Sequence, residues 1–244
     1  MSDIWQMNHN TRNFVYNNNE YSIITTSDPS TDGCIREIVI NNEYKLDRFI
    51  NMTSAVFVDI GTNCGIATII LAKQNPNSKV FSFEPDKTVF EFLSTNIKLN
   101  NLTNVILHNK AVSKTGIKTI TLCANNVCSG ANTTCSDENT FIRVFGDKIN
   151  SYYVDCISLD KIIENYNITS IELLKIDCEG AEYEILYGST HFQNNVVKNI
   201  VGEFHNMYYN TRVDSSANNG QELINYCAKY TNIVNLSVLN IPGY

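Results

Sequence analysis

The sequence contains no apolar stretch approaching the ~18 residues a membrane-spanning helix needs, so no segment is expected to insert into a bilayer. A basic surplus is also missing: 18 Lys and Arg stand against 25 Asp and Glu, for a formal charge of −7. Backbone binding of nucleic acid relies on clustered cations that release counterions, and here the cations are few and scattered. No nucleic-acid partner and no anionic membrane surface is therefore expected. The start, Met1-Ser2-Asp3-Ile4-Trp5, lacks both the basic and the apolar part of an export signal. A cytoplasmic location follows as an expectation, and the eight cysteines read as thiols rather than a disulfide framework. With 43% hydrophobic and 18% charged residues the chain is too apolar for disorder, and 244 residues admit one full domain with a modest extension.

Residues 1–20 are polar and Asn-rich and read as a loose arm. Residues 31–50 place Ile35, Ile38, Val39 and Phe49 at roughly helical spacing, with Asp32 as a cap, which predicts a short helical prefix. From residue 55 the pattern changes. Ala55–Ile60 is a continuous apolar run of the kind buried on both faces, and helix 66–72, strand 79–84, helix 88–99 and strand 105–108 follow. Strands alternating with helices at this spacing predict a parallel sheet with right-handed crossovers. The rhythm breaks at strand 117–123, a polar loop at 124–139 and a strand at 152–157 that pairs back on 117–123. It resumes with helix 158–166, strand 171–177, helix 180–187, strand 200–204, helix 220–230 and strand 233–239.

Four constellations carry chemistry. Asp59-Ile60-Gly61-Thr62-Asn63-Cys64-Gly65 joins a strand to a helix, and its glycines allow a tight turn and close approach to a ligand. A pyrophosphate loop needs glycine where Asn63 and Ile66 stand, so a dinucleotide fits poorly. S-adenosylmethionine fits better: its carboxylate can meet the helix N-terminus, with Asp59 taking its ammonium. Glu84, followed by Pro85, ends the next strand, where nucleoside sites place an acid for two ribose hydroxyls. Lys175-Ile176-Asp177-Cys178-Glu179-Gly180 brings acids to another strand end, where Asp177 and Glu179 would also serve as ordinary helix caps. Glu203-Phe204-His205 adds an acid and an imidazole suited to proton transfer near neutrality. Cys123, Cys128 and Cys135 cluster in the polar loop, but a zinc site needs a fourth ligand and none stands nearby.

The segments Val58–Gly65, Phe83-Glu84-Pro85, Asn96–Asn100, Ser158-Leu159-Asp160, Leu174–Glu182 and Glu203-Phe204-His205 resemble, in order and spacing, the FkbM family of S-adenosylmethionine-dependent methyltransferases. The resemblance covers roughly residues 55–205, and Leu174–Glu182 is its most specific part. It implies an α/β, Rossmann-like class I methyltransferase fold with a mostly parallel central sheet, helices on both faces and a short helical N-terminal prefix. It divides the chain into an arm and prefix (1–50) and a methyltransferase domain (51–244). It also implies methylation of a hydroxyl on a sugar, glycan or related small molecule. Residues 124–146 depart from the family pattern, and the tail is short for the usual final antiparallel strand.

On this reading Asp59, Gly61, Asn63, Gly65, Glu84 and Pro85 hold the cofactor, with Asn109 and Ala111 bordering the adenine. His205 and Asp177 are the candidate bases, and Glu179 and Glu203 position the acceptor. A divalent ion bridging Asp177, Glu179 or Glu203 to acceptor hydroxyls suits such carboxylates, and a homodimer is compatible with the chain. Three rivals stand beside it: an NAD-dependent oxidoreductase, opposed by Asn63 and Ile66; a catalytically inactive binding module, opposed by intact Gly61, Gly65 and Glu84; and a nucleic-acid methyltransferase, opposed by the acidic charge.

Overall fold

The computed structural model describes residues 10–25, 30–125, 129–134, 149–207 and 219–241. Strands β1 (Asn10–Tyr16) and β2 (Asn19–Thr25) pair antiparallel through a two-residue turn. The loose arm expected over residues 1–20 is thus corrected for its described part. The physical reason is the Asn pair itself: Asn17 and Asn18 take φ of 47° and 60°, the left-handed values a tight hairpin turn requires. Tyr21, Ile23 and Thr25 alternate into the interior. The prefix is helical as expected, with α1 (Ser30–Cys34) running into a wider π turn at Ile35–Ile40. Asp32 is not its cap; the carboxylate instead pairs with Arg12 of β1 at 2.9 Å.

The main domain runs β3 (Val56–Ile60), α2 (Ile66–Gln74), β4 (Lys79–Phe83), α3 (Lys87–Leu99) and β5 (Val105–His108). A small second sheet of β6 (Ala111–Ser113), β7 (Thr119–Asn125), β8 (Thr133–Thr134) and β9 (Ile149–Ser158) follows, and β7 pairs antiparallel with β9 as expected. Of the three clustered cysteines only Cys123 is described, and it is buried; Cys128 and Cys135 lie outside the described residues. The α/β order then returns with α4 (Leu159–Asn165), β10 (Leu173–Ile176), α5 (Glu182–Tyr187), α6 (Thr190–Gln193), β11 (Asn199–Met207), α7 (Gly220–Cys227) and β12 (Asn232–Ile241).

The central sheet has the order β12-β11-β10-β3-β4-β5, and every pairing is parallel. Its edge strand β12 lies parallel to β11, and no antiparallel strand joins this sheet among the described residues. Alternate residues feed two cores. Phe57, Val80 and Leu173 pack with α2, α3, the hairpin and the prefix, whereas Val58, Phe81, Leu174 and Phe204 pack with α4, α5, Phe192 and α7. The chain moves from β3 toward β5 on one side and from β10 toward β12 on the other. Ligands bind outside the strand ends where an open sheet reverses its order, which is here between β3 and β10.

Two of the shared segments turn out to be braces. Asn96 on α3 and Asn100, its C-cap one turn later, each exchange two hydrogen bonds with the backbone of β2, at Ile24 and Ser22, and so act as a substitute strand for its edge. Ser158 caps α4 by accepting from the Lys161 N–H at 3.1 Å, and Asp160 caps α6 by accepting from Ser189, Thr190 and His191. Burial raises the Asp160 carboxyl, but these hydrogen bonds outweigh it and hold the group below its ordinary value. Asp160→Ala should lower stability to urea by about 2–3 kcal/mol, as charged hydrogen bonds of this kind contribute. Because the folded value lies below the unfolded one, the wild-type advantage should be full above the unfolded aspartate range and fade as pH falls through the folded value. Equal stabilities at pH 7 would contradict the bracing role.

Candidate active site

The register between β3 and β10 sets Ile60 beside Ile176, so the loops that follow them lie side by side. Gly61 takes φ 75°, and a Cβ there would lie 1.7 Å from the Asp177 carbonyl oxygen. Only glycine permits this contact between the two loops. Asn63 is also left-handed (φ 52°), a conformation Asn tolerates, and its side chain accepts from the Cys64 N–H at 2.6 Å. Gly65 begins α2 at φ 99°.

Glu84 closes one wall. Its two carboxylate oxygens accept from the backbone N–H groups of Asn63 and Asp86, each at 2.9 Å. Burial pushes this carboxyl up to about 7. The Asn109 amide donates to the carbonyls of Glu84 and Pro85 at 2.9 and 3.0 Å, which fixes the turn. Gly61, Asn63, Glu84, Pro85 and Ala111 line a cavity of about 400 Å³, within the range that holds small ligands. Gly65 and Asn109, expected to hold the cofactor and to border its adenine, do not line it.

The opposite wall carries Asp177, Glu179 and Glu203, joined by Glu37 and Tyr44 from the prefix. Tyr44 donates to Asp177 Oδ2 at 2.8 Å. Burial raises Glu179 to about 8, against the pull of His205. Burial, then the charges of Asp177 and Glu37, raise Glu203 to about 7.

Two placements differ from the sequence expectation. Asp59 was expected to receive the cofactor's ammonium; it is fully buried and does not line the cavity. Its carboxylate accepts from Thr68 Oγ1 at 2.7 Å and lies 3.3 Å from the Lys175 ammonium. His205 was expected as a base facing the acceptor; it is 1% exposed and lies behind the cavity lining. Its Nδ1 is 3.0 Å from Glu182 Oε1, and its Nε2 is 3.6 Å from Glu179 and 3.9 Å from both Asp177 and Glu203. Burial lowers its proton affinity, but the Glu182 hydrogen bond and charge, with Glu179 and Asp177, carry it up to about 10. Its place behind the lining, with both ring nitrogens turned to carboxylates, sets it out of direct contact with an acceptor in the cavity.

Sequence reasoning missed Lys175 and gave Glu182 no role. A lysine inside the apolar run Leu173-Leu174-Lys175-Ile176 was the available signal. Its ammonium is buried, donates to the Gly61 carbonyl at 2.6 Å and sits 3.8 Å from Asp177. Burial opposes its charge, but Asp59 and Asp177 outweigh that and hold it above the ordinary lysine value. Glu182 accepts from the N–H groups of Cys178 and Gly180, both at 2.9 Å, and so shapes the loop that carries Glu179. Lys175→Met leaves Asp59 buried without a counter-charge. It should cost about 3–5 kcal/mol in urea denaturation, and a loss under about 1 kcal/mol would contradict the pairing.

A family model described as the methyltransferase FkbM domain matches residues 59–232, well over half of the chain. Methyltransferase 1 of Beauveria bassiana (strain ARSEF 2860) is 26% identical over 180 residues, covering 69% of this chain and 71% of that protein. Methyltransferase sdnD of Sordaria araneosa is 26% identical over 176 residues, covering 63% of this chain and 68% of that one. A shorter likeness, 41% over 64 residues and 26% of each chain, links it to the tRNA(Phe) (4-demethylwyosine(37)-C(7)) aminocarboxypropyltransferase of Methanocaldococcus jannaschii.

Proposed function

The chain belongs to the FkbM methyltransferase family, and from that premise we propose that it is an O-methyltransferase for a hydroxyl of a sugar, glycan or related small molecule. S-adenosylmethionine is the methyl donor of this family reading, and its sulfonium supplies an activated methyl group when bound. The observation that carries the proposal is the joining of two walls in one cavity: a glycine loop with Glu84 on one side and carboxylates at the ends of β10 and β11 on the other.

The residues present fit the donor. Glu84 offers a carboxylate at the strand end where a ribose diol is gripped, and the Asn63 turn leaves no glycine cradle for a pyrophosphate. Opposite, Asp177 is committed on Oδ2 to Tyr44 and flanked by Lys175, which suits orientation of an acceptor hydroxyl. Glu179 lines the cavity from the loop tip and takes the proton of that hydroxyl. At neutral pH that carboxyl holds a proton most of the time, and its minor carboxylate form is a stronger base than an ordinary glutamate. Glu203 and Glu37 add acceptors for neighbouring hydroxyls on the same wall. This acidic wall disfavours an anionic acceptor such as nucleic acid. No helix among the described residues is long and apolar enough to cross a membrane, and a cytoplasmic setting is part of the proposal.

Two variants test the two walls. Glu84→Gln should weaken S-adenosylhomocysteine binding by roughly 10- to 100-fold in calorimetry, the value of one charged hydrogen bond; unchanged affinity would remove Glu84 from the cofactor site. Glu179→Gln should keep that affinity and lose roughly 10²- to 10⁴-fold in methyl transfer from labelled donor to a glycan panel. Normal turnover in the variant would remove Glu179 as the base.

A further inference from the structure

The His205 ring is oriented more firmly than a charge-balancing role requires. Glu182 holds Nδ1 at 3.0 Å, and the same carboxylate is itself fixed by two backbone N–H groups. The other ring nitrogen, Nε2, belongs to the same buried side chain and faces carboxylate oxygens of Asp177, Glu179 and Glu203 at 3.9, 3.6 and 3.9 Å, beyond hydrogen-bond distance. Nε2, one oxygen of Asp177 and one of Glu203 all lie within 4.8 Å of one another. Around an ion with bonds of about 2.1 Å, neighbouring ligand atoms stand about 3.0 Å apart and opposite ones about 4.2 Å. The Nε2 distances of 3.9 Å to both oxygens therefore need only a sub-ångström contraction to close on a common centre.

We propose that Asp177, Glu203 and His205 form a binding site for a divalent cation of the Mn²⁺ kind, with Glu182 as the positioning residue. Two carboxylates suit a hard, six-coordinate ion, and one imidazole favours Mn²⁺ over Mg²⁺. The ion displaces the proton that the surrounding carboxylates favour on Nε2, releasing it to solvent, while Glu182 accepts from Nδ1–H and keeps the ring turned to the ion, the arrangement by which carboxylates orient metal-binding histidines. Asp177 and Glu203 both line the cavity, so the remaining coordination positions open toward the acceptor. An acceptor with adjacent hydroxyls chelates there, one hydroxyl facing Glu179, which accepts its proton. The ion would polarise the hydroxyl oxygen and stabilise the developing alkoxide. The role in catalysis rests on the methyltransferase reading; the binding of the ion does not.

The test titrates Mn²⁺ alone into the metal-stripped full chain, by calorimetry and by electron paramagnetic resonance, with S-adenosylhomocysteine titrated separately. One Mn²⁺ should bind per chain, and pulsed spectra of the wild type should show one directly coordinated nitrogen. Glu203→Gln should weaken Mn²⁺ at least 30-fold, and Glu182→Gln roughly 10- to 100-fold, as loss of an orienting partner does. Both variants should retain S-adenosylhomocysteine affinity, which also shows that they fold. Absence of Mn²⁺ binding up to millimolar concentration, a bound ion without a nitrogen ligand, or equal affinity in Glu203→Gln would overturn the site. Any of these with cofactor binding intact would leave the methyltransferase reading standing; loss of S-adenosylhomocysteine binding in the wild type with Mn²⁺ still bound would overturn that reading and not the site.

Discussion

The buried ammonium of Lys175 is the point on which the site turns. It stands inside a parallel sheet, where a charge is tolerated only with partners, and its partners come from the end of β3 and from the end of its own strand, β10. Asp59 of β3 balances it, the Gly61 carbonyl accepts from it, and Asp177 lies just beyond. A single side chain thus fixes the glycine loop and the acidic loop against each other. The same closeness forces glycine at position 61, because any Cβ would run into the Asp177 backbone. Asp59 therefore supports the glycine loop from beneath, through Lys175, and does not line the cavity.

Charge is distributed unevenly across the cavity. On the glycine side a single carboxylate, Glu84, is satisfied by backbone donors. On the other side Asp177, Glu179, Glu203 and Glu37 crowd together, and burial with mutual repulsion raises the proton affinity of Glu179 and Glu203. Such crowding is unfavourable unless cations offset it. Lys175 does so from the cavity lining and His205 from behind it, and the prefix contributes Tyr44, which packs in the same core as the hairpin. The hairpin and prefix are thus more than an appendage. They complete one face of the core and one wall of the cavity.

Much of this was legible in the sequence, for identifiable reasons. Parallel strands buried on both faces leave continuous apolar runs, so β3, β4, β10 and β11 stood out, and the acids ending them pointed to the functional edge. The resemblance to the FkbM family agreed with the motif order and with the family match over residues 59–232. What escaped notice depended on contacts between distant segments. The Asn17-Asn18 turn looked like polar filler because its strands are stabilised by Asn96 and Asn100, more than 70 positions away. His205 looked like a base because its burial against Glu182 is a tertiary fact. Lys175 was given no role because its counter-charge, Asp59, lies over 100 residues earlier.

The central claim is that the β3–β4 edge seats an adenosyl sulfonium donor and not a dinucleotide. Its most direct test is parallel calorimetric titration of the wild-type chain with S-adenosylhomocysteine and with NAD. The account predicts one molecule of S-adenosylhomocysteine bound per chain and no detectable heat from NAD. Binding of NAD without S-adenosylhomocysteine would contradict it.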